Sequence, residues 1–276
     1  MPAAASPFIA GRGPAIHGES AGEGPPIVLC HGITATRHSV VHGSRALQRA
    51  GHRVIVYDAR GHGDSDPAPG GTGYDYLELA GDLESVLDAE VGEEPFVLGG
   101  HSMGAHTAVA YALRNPGRLA GLVVIGPSYT GPPSAETLAY WDGLAAALER
   151  SGIDGFVDYI DRAQELDPTW RKSVLRFTRE RMLRHRRLDA VVAALREVPR
   201  SRPFERMEDL RGLGVPALVV ASHDAADPGH PYAVAAAYAE QLPQARLVSE
   251  AEGQSPLAWQ GGRLSREIAA FAATTN

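Results

Sequence analysis

The stretch FVLGGHSMG, residues 96–104, decides the fold. Apolar residues of strand type run into a glycine-rich turn, and a helical pattern follows over 105–114. The spacing Gly-x-Ser-x-Gly at a strand–turn–helix junction is typical of a sharp turn that exposes a serine hydroxyl. Its glycines let the strand and the helix approach each other without clashes between Cβ atoms. Ser102 is then expected at a helix N-terminus, where backbone N–H groups stabilise developing negative charge.

Short apolar segments alternate with longer amphipathic segments on both sides of this turn. The predicted strands cover residues 27–30, 53–57, 96–98, 122–125, 217–220 and 246–248, and the predicted helices cover 40–49, 76–89, 105–114, 233–241 and 264–272. Continuous apolar strands that alternate with helices predict a mostly parallel, doubly wound α/β sheet. In such sheets ligands bind beyond the carboxyl ends of the strands.

The alternation stops between about residues 126 and 213, where the pattern is helical throughout. Trp170, Val174 and Phe177, for example, have the spacing of one helix face. We therefore expect a core formed by residues 1–126 and 214–276, with a helical cap, residues 127–213, inserted after the sixth strand. An independent helical domain is the alternative.

Composition excludes several classes of protein. The chain has 276 residues, of which 44% are hydrophobic and 21% charged, as in a soluble globular protein. A net charge of −7 gives little attraction for nucleic acid. Cys30 is the only cysteine, so an intramolecular disulfide cannot form. Neither a signal-peptide pattern nor an apolar run of membrane length is present. We expect a cytoplasmic protein that acts on a small molecule, with no nucleic-acid or membrane partner. The abundance of Arg, Ala, Gly and Pro suggests a bacterial source.

Three segments now support a resemblance to the α/β-hydrolase superfamily. The turn around Ser102 resembles the family's nucleophile elbow, the stretch CHGIT (30–34) resembles its oxyanion turn, and YDARGHGDS (57–65) resembles its D-x-R-G-x-G-x-S loop. The resemblance implies acyl transfer on Ser102, with the oxyanion held by the backbone N–H groups of Ile33 and Met103. It therefore implies hydrolysis of a small ester, lactone or thioester. Serine at this position argues against the branches that hydrolyse epoxides and haloalkanes, which use aspartate.

The family's catalytic acid follows the strand predicted over 217–220. The stretch DPGHP, residues 227–231, resembles the family's D-P-x-x-P pattern, which favours Asp227 as the acid. Asp224 lies nearer the end of the strand and is the alternative.

The base is missing from its usual place. Where the family has a Gly-His pair before the last helix, this chain has Gly253-Gln254, and a glutamine amide cannot accept the serine proton at neutral pH. His230 is the first candidate for a substitute base, although a helix-start residue hydrogen-bonded to the backbone is the favoured interpretation, and His223 is the second. A lyase or cyclase that needs no such base, a ligand-binding protein with a disabled triad, and an engineered substitution at position 254 remain open.

Other ligand patterns are weak. No pair of histidines on a helix and no cysteine cluster predicts a metal, and we expect no organic cofactor. His101 is expected to point away from the serine hydroxyl. Residues 171–187 contain eight basic residues and one acidic residue. The simplest interpretation is a solvated helix face, and the alternative is that one or two arginines face the site and attract an anionic substrate.

Overall fold

The computed structural model describes residues 5–223 and 226–275. Its strands are β1 (Ser6–Ala10), β2 (Ile16–Ala21), β3 (Pro26–Cys30), β4 (Arg53–Tyr57), β5 (Phe96–His101), β6 (Leu119–Ile125), β7 (Ala217–Val220) and β8 (Ala245–Val248). Its helices are α1 (Ala46–Arg49), α2 (Tyr76–Glu90), α3 (Met103–Arg114), α4 (Ala135–Ala163), α5 (Pro168–Met182), α6 (Leu188–Glu197), α7 (Tyr232–Gln241) and α8 (Gly261–Ala272). Within these residues no helix is both long enough and apolar enough to cross a membrane.

The strands form one sheet in the order β1-β2-β4-β3-β5-β6-β7-β8. Strand β2 pairs antiparallel with β1 and with β4, and the remaining pairs are parallel. The carboxyl ends of β3 to β8 therefore meet at one edge of the sheet. The doubly wound α/β fold predicted from the sequence is confirmed.

Both faces of the sheet are covered, which explains why the parallel strands are continuously apolar. On β3, Ile27 and Leu29 face the helices α1 and α8, whereas Val28 and Cys30 face α2, α3 and α7. All four side chains are at most 2% exposed, so this strand is the centre of the hydrophobic core.

The sequence analysis missed one local element and placed the bounds of another wrongly. The hairpin β1–β2 was not predicted, because it is an edge pair whose outer strand is largely exposed and therefore lacks a buried apolar run. The helix predicted over 40–49 is confined to α1. Val40 and Val41 are buried, as the pattern suggested, but they lie in a turn where His42 has a positive φ of 48°.

Between β6 and β7 the regular elements are helical, and α4, α5 and α6 pack together around their own apolar cluster. These inserted helices rest on the carboxyl edge of the sheet. Met103 belongs to an apolar cluster that includes residues of α6. Ile33 packs against this cluster and also against the apolar cluster of the inserted helices. The division into core and cap at residues 126–127 and 213–214 stays a prediction. Phe177, placed with Trp170 and Val174 on one helix face, is 48% exposed, and Thr178 is buried instead.

Candidate active site

Ser102 lies in a strained turn between β5 and α3. Its backbone has φ 53° and ψ −117°, a conformation that residues with a side chain rarely adopt. The turn is fixed because the Ser102 N–H donates to the Ile125 carbonyl at 3.0 Å and its carbonyl accepts from the His106 N–H at 3.0 Å. The side chain is half-buried, and no group among the described residues forms a hydrogen bond with its Oγ atom. Strain of this kind clusters at functional sites.

The two glycines of the turn are required by close backbone contacts. A Cβ atom on Gly100 would lie 2.2 Å from the Gly104 carbonyl oxygen, and one on Gly104 would lie 2.2 Å from the Cys30 carbonyl oxygen. The turn therefore presses the start of α3 against the end of β3, which carries the predicted oxyanion turn.

The predicted oxyanion donors lie on the two segments that meet here. A Cβ atom on Gly32 would lie 3.3 Å from the Ser102 Cβ, so the turn after β3 passes directly beside the serine. The Ile33 N–H donates to no acceptor among the described residues. Met103 is the first residue of α3, and the first N–H groups of a helix have no partner within it. Thr34 has a positive φ of 64°, which is unusual for a β-branched residue.

Two buried histidines hold the predicted oxyanion turn in place. His31 accepts the Ala59 N–H at Nε2 (2.9 Å), so its Nδ1–H donates to the Gly32 carbonyl (2.8 Å). His185, from the segment after α5, accepts the Gly63 N–H at Nδ1 (3.0 Å) and donates from Nε2 to the Thr34 carbonyl (3.0 Å). Both imidazoles are neutral in this arrangement, and burial lowers the pKa of His185 to about 4. Their function here is structural.

Asp227 and His230 form a hydrogen-bonded pair after β7. The distance from His230 Nδ1 to Asp227 Oδ2 is 2.9 Å. Burial raises the pKa of Asp227, but the charge and the hydrogen bond of His230 outweigh burial, so the pKa lies below its usual value. The ionised carboxylate can only accept, so Nδ1 donates the hydrogen bond, and in the neutral imidazole the lone pair lies on Nε2. The two side chains keep 18% (His230) and 15% (Asp227) exposure, so a ligand can reach them.

His101 places this pair beside the serine turn. Its ring lies 4.8 Å from the His230 ring, edge to face, and a Cβ atom on Gly126 would be 3.3 Å from both rings. Burial, followed by the nearby charge of His230, lowers the pKa of His101 to about 3, so this imidazole is neutral. Its Nε2 is buried and has no hydrogen-bond partner among the described residues. The predicted orientation of His101 stays a prediction.

The same three side chains could also hold a metal ion. One ligand atom from each of His101, Asp227 and His230 lies within 4.8 Å of the others. Two imidazoles and a carboxylate suit divalent first-row metals. Sequence reasoning missed the group because His101 is more than 120 residues away along the chain, and no spacing rule connects them.

The remaining candidates for acid and base lie elsewhere. Asp224 is outside the described residues, so its role as the acid stays a prediction. The His223 ring stacks on Tyr232 at 5.2 Å and 10°, and the backbone N–H of His223 donates to the Glu250 carboxylate at 2.6 Å. Gln254 is exposed, and its Oε1 accepts from Arg263 at 3.0 Å.

Glu250 anchors the loop after β8. Its side chain is 3% exposed and accepts the N–H groups of His223 (2.6 Å) and Leu257 (2.7 Å). The loop after β7 and the loop after β8 are therefore joined at their bases by one carboxylate. No sequence signal distinguished this glutamate.

The inserted helices contact the core on two sides of the site. Trp170, near the start of α5, packs edge-on against Trp259 of the core with ring centroids 6.3 Å apart. At the other end of α5, Arg181 interacts electrostatically with Asp227 and with Tyr140 of α4. The basic run thus separates into surface residues and Arg181, a distinction that the sequence did not contain.

This chain is similar to known proteins. A family model described as alpha/beta hydrolase fold matches residues 25–260. The chain belongs to the alpha/beta hydrolase family. The elbow at Ser102, the turn at Ile33 and the loop at Asp227 all lie within the matched residues.

Curated relatives match part of the chain. Epoxide hydrolase B of Mycobacterium tuberculosis is 39% identical over 109 residues, which is 40% of this chain and 30% of that protein. The sn-1-specific diacylglycerol lipase ABHD11 of Mus musculus is 39% identical over 126 residues, 45% of this chain and 40% of that protein. The chain thus spans about a third of the length of these relatives. A thermophilic esterase from Thermogutta terrifontis, solved with malate bound, superposes with a TM-score of 0.77 at 24% identity over 99% of both chains. This similarity supports the fold.

Proposed function

We propose that this alpha/beta hydrolase hydrolyses a small carboxylic ester, lactone or thioester through an acyl-enzyme on Ser102. The observation that carries the proposal is the Asp227–His230 hydrogen bond, which leaves Nε2 of the imidazole free to accept a proton. In the proposed mechanism Asp227 is the acid, and His230 is the base that is missing at position 254. The strained, half-buried serine and the adjacent turn with a free Ile33 N–H support the remaining roles.

In the proposed reaction, Ser102 Oγ attacks the carbonyl carbon while its proton passes to His230 Nε2. The N–H groups of Ile33 and Met103 stabilise the oxyanion, and each such donor contributes about 3–4 kcal/mol to transition-state binding. Collapse breaks the bond to the leaving group, which takes the proton from His230. Water then attacks the acyl-enzyme by the same route, releasing the acid and restoring the serine.

The inserted helices α4–α6 act as the cap in this proposal. They rest on Ile33 and Met103, so a substrate carbonyl at the oxyanion site would lie beneath them. Excluding water there strengthens the hydrogen bonds that stabilise the oxyanion.

Epoxide opening, the reaction in the name of one curated relative, fits Ser102 poorly. Attack of a serine hydroxyl on an epoxide forms an ether, which has no carbonyl carbon for water to attack. The enzyme would then remain alkylated, whereas an ester or a thioester gives an acyl-serine that water can cleave.

Labelling with a fluorophosphonate probe tests the proposal. We expect the native protein to be labelled, Ser102→Ala to lose labelling, and the exposed Ser128→Ala to keep it. His230→Ala should slow labelling by at least 100-fold, the usual minimum contribution of a general base. His223→Ala is the matched control and should change the rate little.

Three outcomes would overturn the proposal or one of its assignments. Loss of labelling in His223→Ala but not in His230→Ala would reassign the base. A native protein that is not labelled, but becomes labelled in Gln254→His, would indicate a ligand-binding protein with a disabled triad. Turnover of a substrate without an acyl-enzyme detectable by mass spectrometry would favour a lyase or cyclase.

A further inference from the structure

Arg181 differs from every other basic residue of the run 171–187. The other seven are exposed, whereas Arg181 is half-buried and its Nε atom is fully buried. Five of the exposed residues pair with carboxylates on the surface: Arg171 with Asp161, Arg176 with Glu180, Arg179 with Asp154, Arg186 with Asp64 and Arg187 with Asp189. Most of the exposed charge of the run is therefore paired on the surface, whereas the buried Nε of Arg181 needs a separate explanation.

The guanidinium of Arg181 has no protein partner among the described residues. Its Nε atom is fully buried without a hydrogen bond, and no described carboxylate lies within 4 Å of the group. A buried cationic N–H without a hydrogen-bond acceptor is costly, because the attraction of Asp227 at a distance does not replace the lost hydration. Buried polar groups are almost always satisfied, so an orphaned guanidinium indicates a place where a ligand completes the contacts.

Its position places this charge at the candidate active site. Arg181 lies on the same face of α5 as Val174 and Thr178, and this face packs toward the interior. Its charge acts on Asp227 and His101, which adjoin the serine turn, and on Tyr140 of α4. The Asp227 carboxylate is hydrogen-bonded to His230 and lies more than 4 Å from the guanidinium, so it does not supply the missing acceptor.

We propose that Arg181 binds a carboxylate on the substrate, so that the preferred substrates carry a free carboxylate in addition to the bond that is cleaved. This inference rests on the proposed function for its catalytic half. A guanidinium offers parallel N–H donors that match the two oxygens of a carboxylate. Near Arg181 the ionised Asp227 already carries one negative charge, and burial keeps His101 and His185 neutral. A singly charged carboxylate suits this balance better than a doubly charged phosphate.

The first test compares matched substrates. The p-nitrophenyl monoesters of succinic, glutaric and adipic acid are each paired with the neutral p-nitrophenyl ester of the same acyl length. For each pair, the measured quantity is the kcat/KM of the charged monoester divided by the kcat/KM of the neutral ester. We expect this ratio to exceed one for at least one pair with the native enzyme. Arg181→Gln should lower this ratio by at least about tenfold, the usual effect of losing a hydrogen bond to a charged group. Arg181→Lys should retain part of it.

Arg184→Gln is the matched control. It removes the same charge from the same run, at an exposed position with no ion pair among the described residues, and should leave the ratio unchanged. If Arg181→Gln lowers kcat/KM equally for charged and neutral esters, the inference is overturned. It is also overturned if Arg184→Gln changes the ratio as much as Arg181→Gln does. Either result indicates a general electrostatic effect.

The second test does not depend on turnover. Calorimetric titration of Ser102→Ala with monomethyl glutarate should show binding that is at least about tenfold weaker in Ser102→Ala/Arg181→Gln and unchanged in Ser102→Ala/Arg184→Gln. Arg181-dependent binding in a protein that fluorophosphonate never labels would support the carboxylate site and refute the serine mechanism. Absence of Arg181-dependent binding would refute the carboxylate site, whatever the labelling result.

Discussion

The loop at Ser102 and the loop that contains Gln254 both follow parallel strands at the same edge of the sheet, but they are constrained very differently. The first is fixed by strained backbone, by two glycines at which a Cβ atom would lie 2.2 Å from a backbone oxygen, and by backbone hydrogen bonds on both sides. The second is fixed at its base by Glu250, while residues 251–254 are exposed. The position of Ser102 therefore tolerates almost no change, whereas position 254 can change at little structural cost. In the proposed mechanism His230, next to Asp227, replaces the base that is missing at position 254.

The largest expected effect comes from Asp227→Asn, which tests whether catalysis depends on the loop after β7. The amide would present a donor to His230 and favour the wrong tautomer. The rate of fluorophosphonate labelling should fall by about 10⁴-fold, as when the carboxylate that orients a base histidine is replaced. Glu252→Gln, in the exposed loop after β8, is the control. Equal labelling rates in the two variants would show that catalysis does not depend on the loop after β7.

Acid should lower the free energy of unfolding through two histidines near Ser102. Burial lowers the pKa of His101 and of His106 to about 3, so both are neutral in the folded protein and titrate near 6.5 when unfolded. Their contribution to stability is complete above pH 6.5 and is lost as the pH falls toward 3. At pH 5 each should cost about 2 kcal/mol of unfolding free energy relative to neutral pH.

Denaturant titrations at pH 7.5 and pH 5 measure this loss. His106→Gln should lose less stability over the same interval, because one of the two titrating groups is gone. Equal losses in the variant and the native protein would contradict the assignment.

Gly104→Ala tests the rigidity of the serine turn. The added methyl group would meet the Cys30 carbonyl oxygen at 2.2 Å, so the variant should lose at least about 3 kcal/mol of unfolding free energy. Gly81→Ala, inside α2 with nothing within 4 Å of the new Cβ, should gain up to about 1 kcal/mol. Denaturant unfolding measures both. A neutral Gly104→Ala would mean that the turn is less constrained than its contacts imply.

Glu250→Gln tests the anchor of the second loop. Replacing one carboxylate oxygen by an NH₂ group leaves one of its two N–H partners without an acceptor, at a cost of about 2 kcal/mol in unfolding free energy. The exposed Glu252→Gln should stay within about 0.5 kcal/mol of the native value. If the two variants are equally stable, Glu250 does not hold the loop.

The smallest expected effect is that of Gln254→Ala. The side chain is exposed and its contact with Arg263 lies on the surface, so stability should change by less than about 0.5 kcal/mol. Labelling of Ser102 should also be unaffected. A tenfold slower labelling rate would show that the loop after β8 still takes part in the chemistry.

Much of the fold could be predicted from the sequence, because buried strands such as β3 and β7 are continuous apolar runs with distinctive turns after them. The serine turn was predictable for the same reason, since its glycine spacing reflects local sterics. The hairpin β1–β2 was not, because it lies at an exposed edge. Arg181 could not be separated from its neighbours, since its enclosure depends on α4 and the loop after β7, which are distant in sequence.

The Asp227–His230 pair was identified as a candidate because both residues lie in one short loop. Its hydrogen bond could not be predicted, since the same spacing is equally typical of a helix start. Glu250 carries no signal at all in the sequence, because its two partners belong to different loops.

The edge-on contact between Trp170 and Trp259 has an optical consequence. Two indoles this close couple their electronic transitions, and the pair spans the junction between α5 and the sheet. Only one further tryptophan, Trp141, is present to add background. Circular dichroism and emission in the near ultraviolet therefore report directly on any separation of α5 from the sheet, without an attached dye.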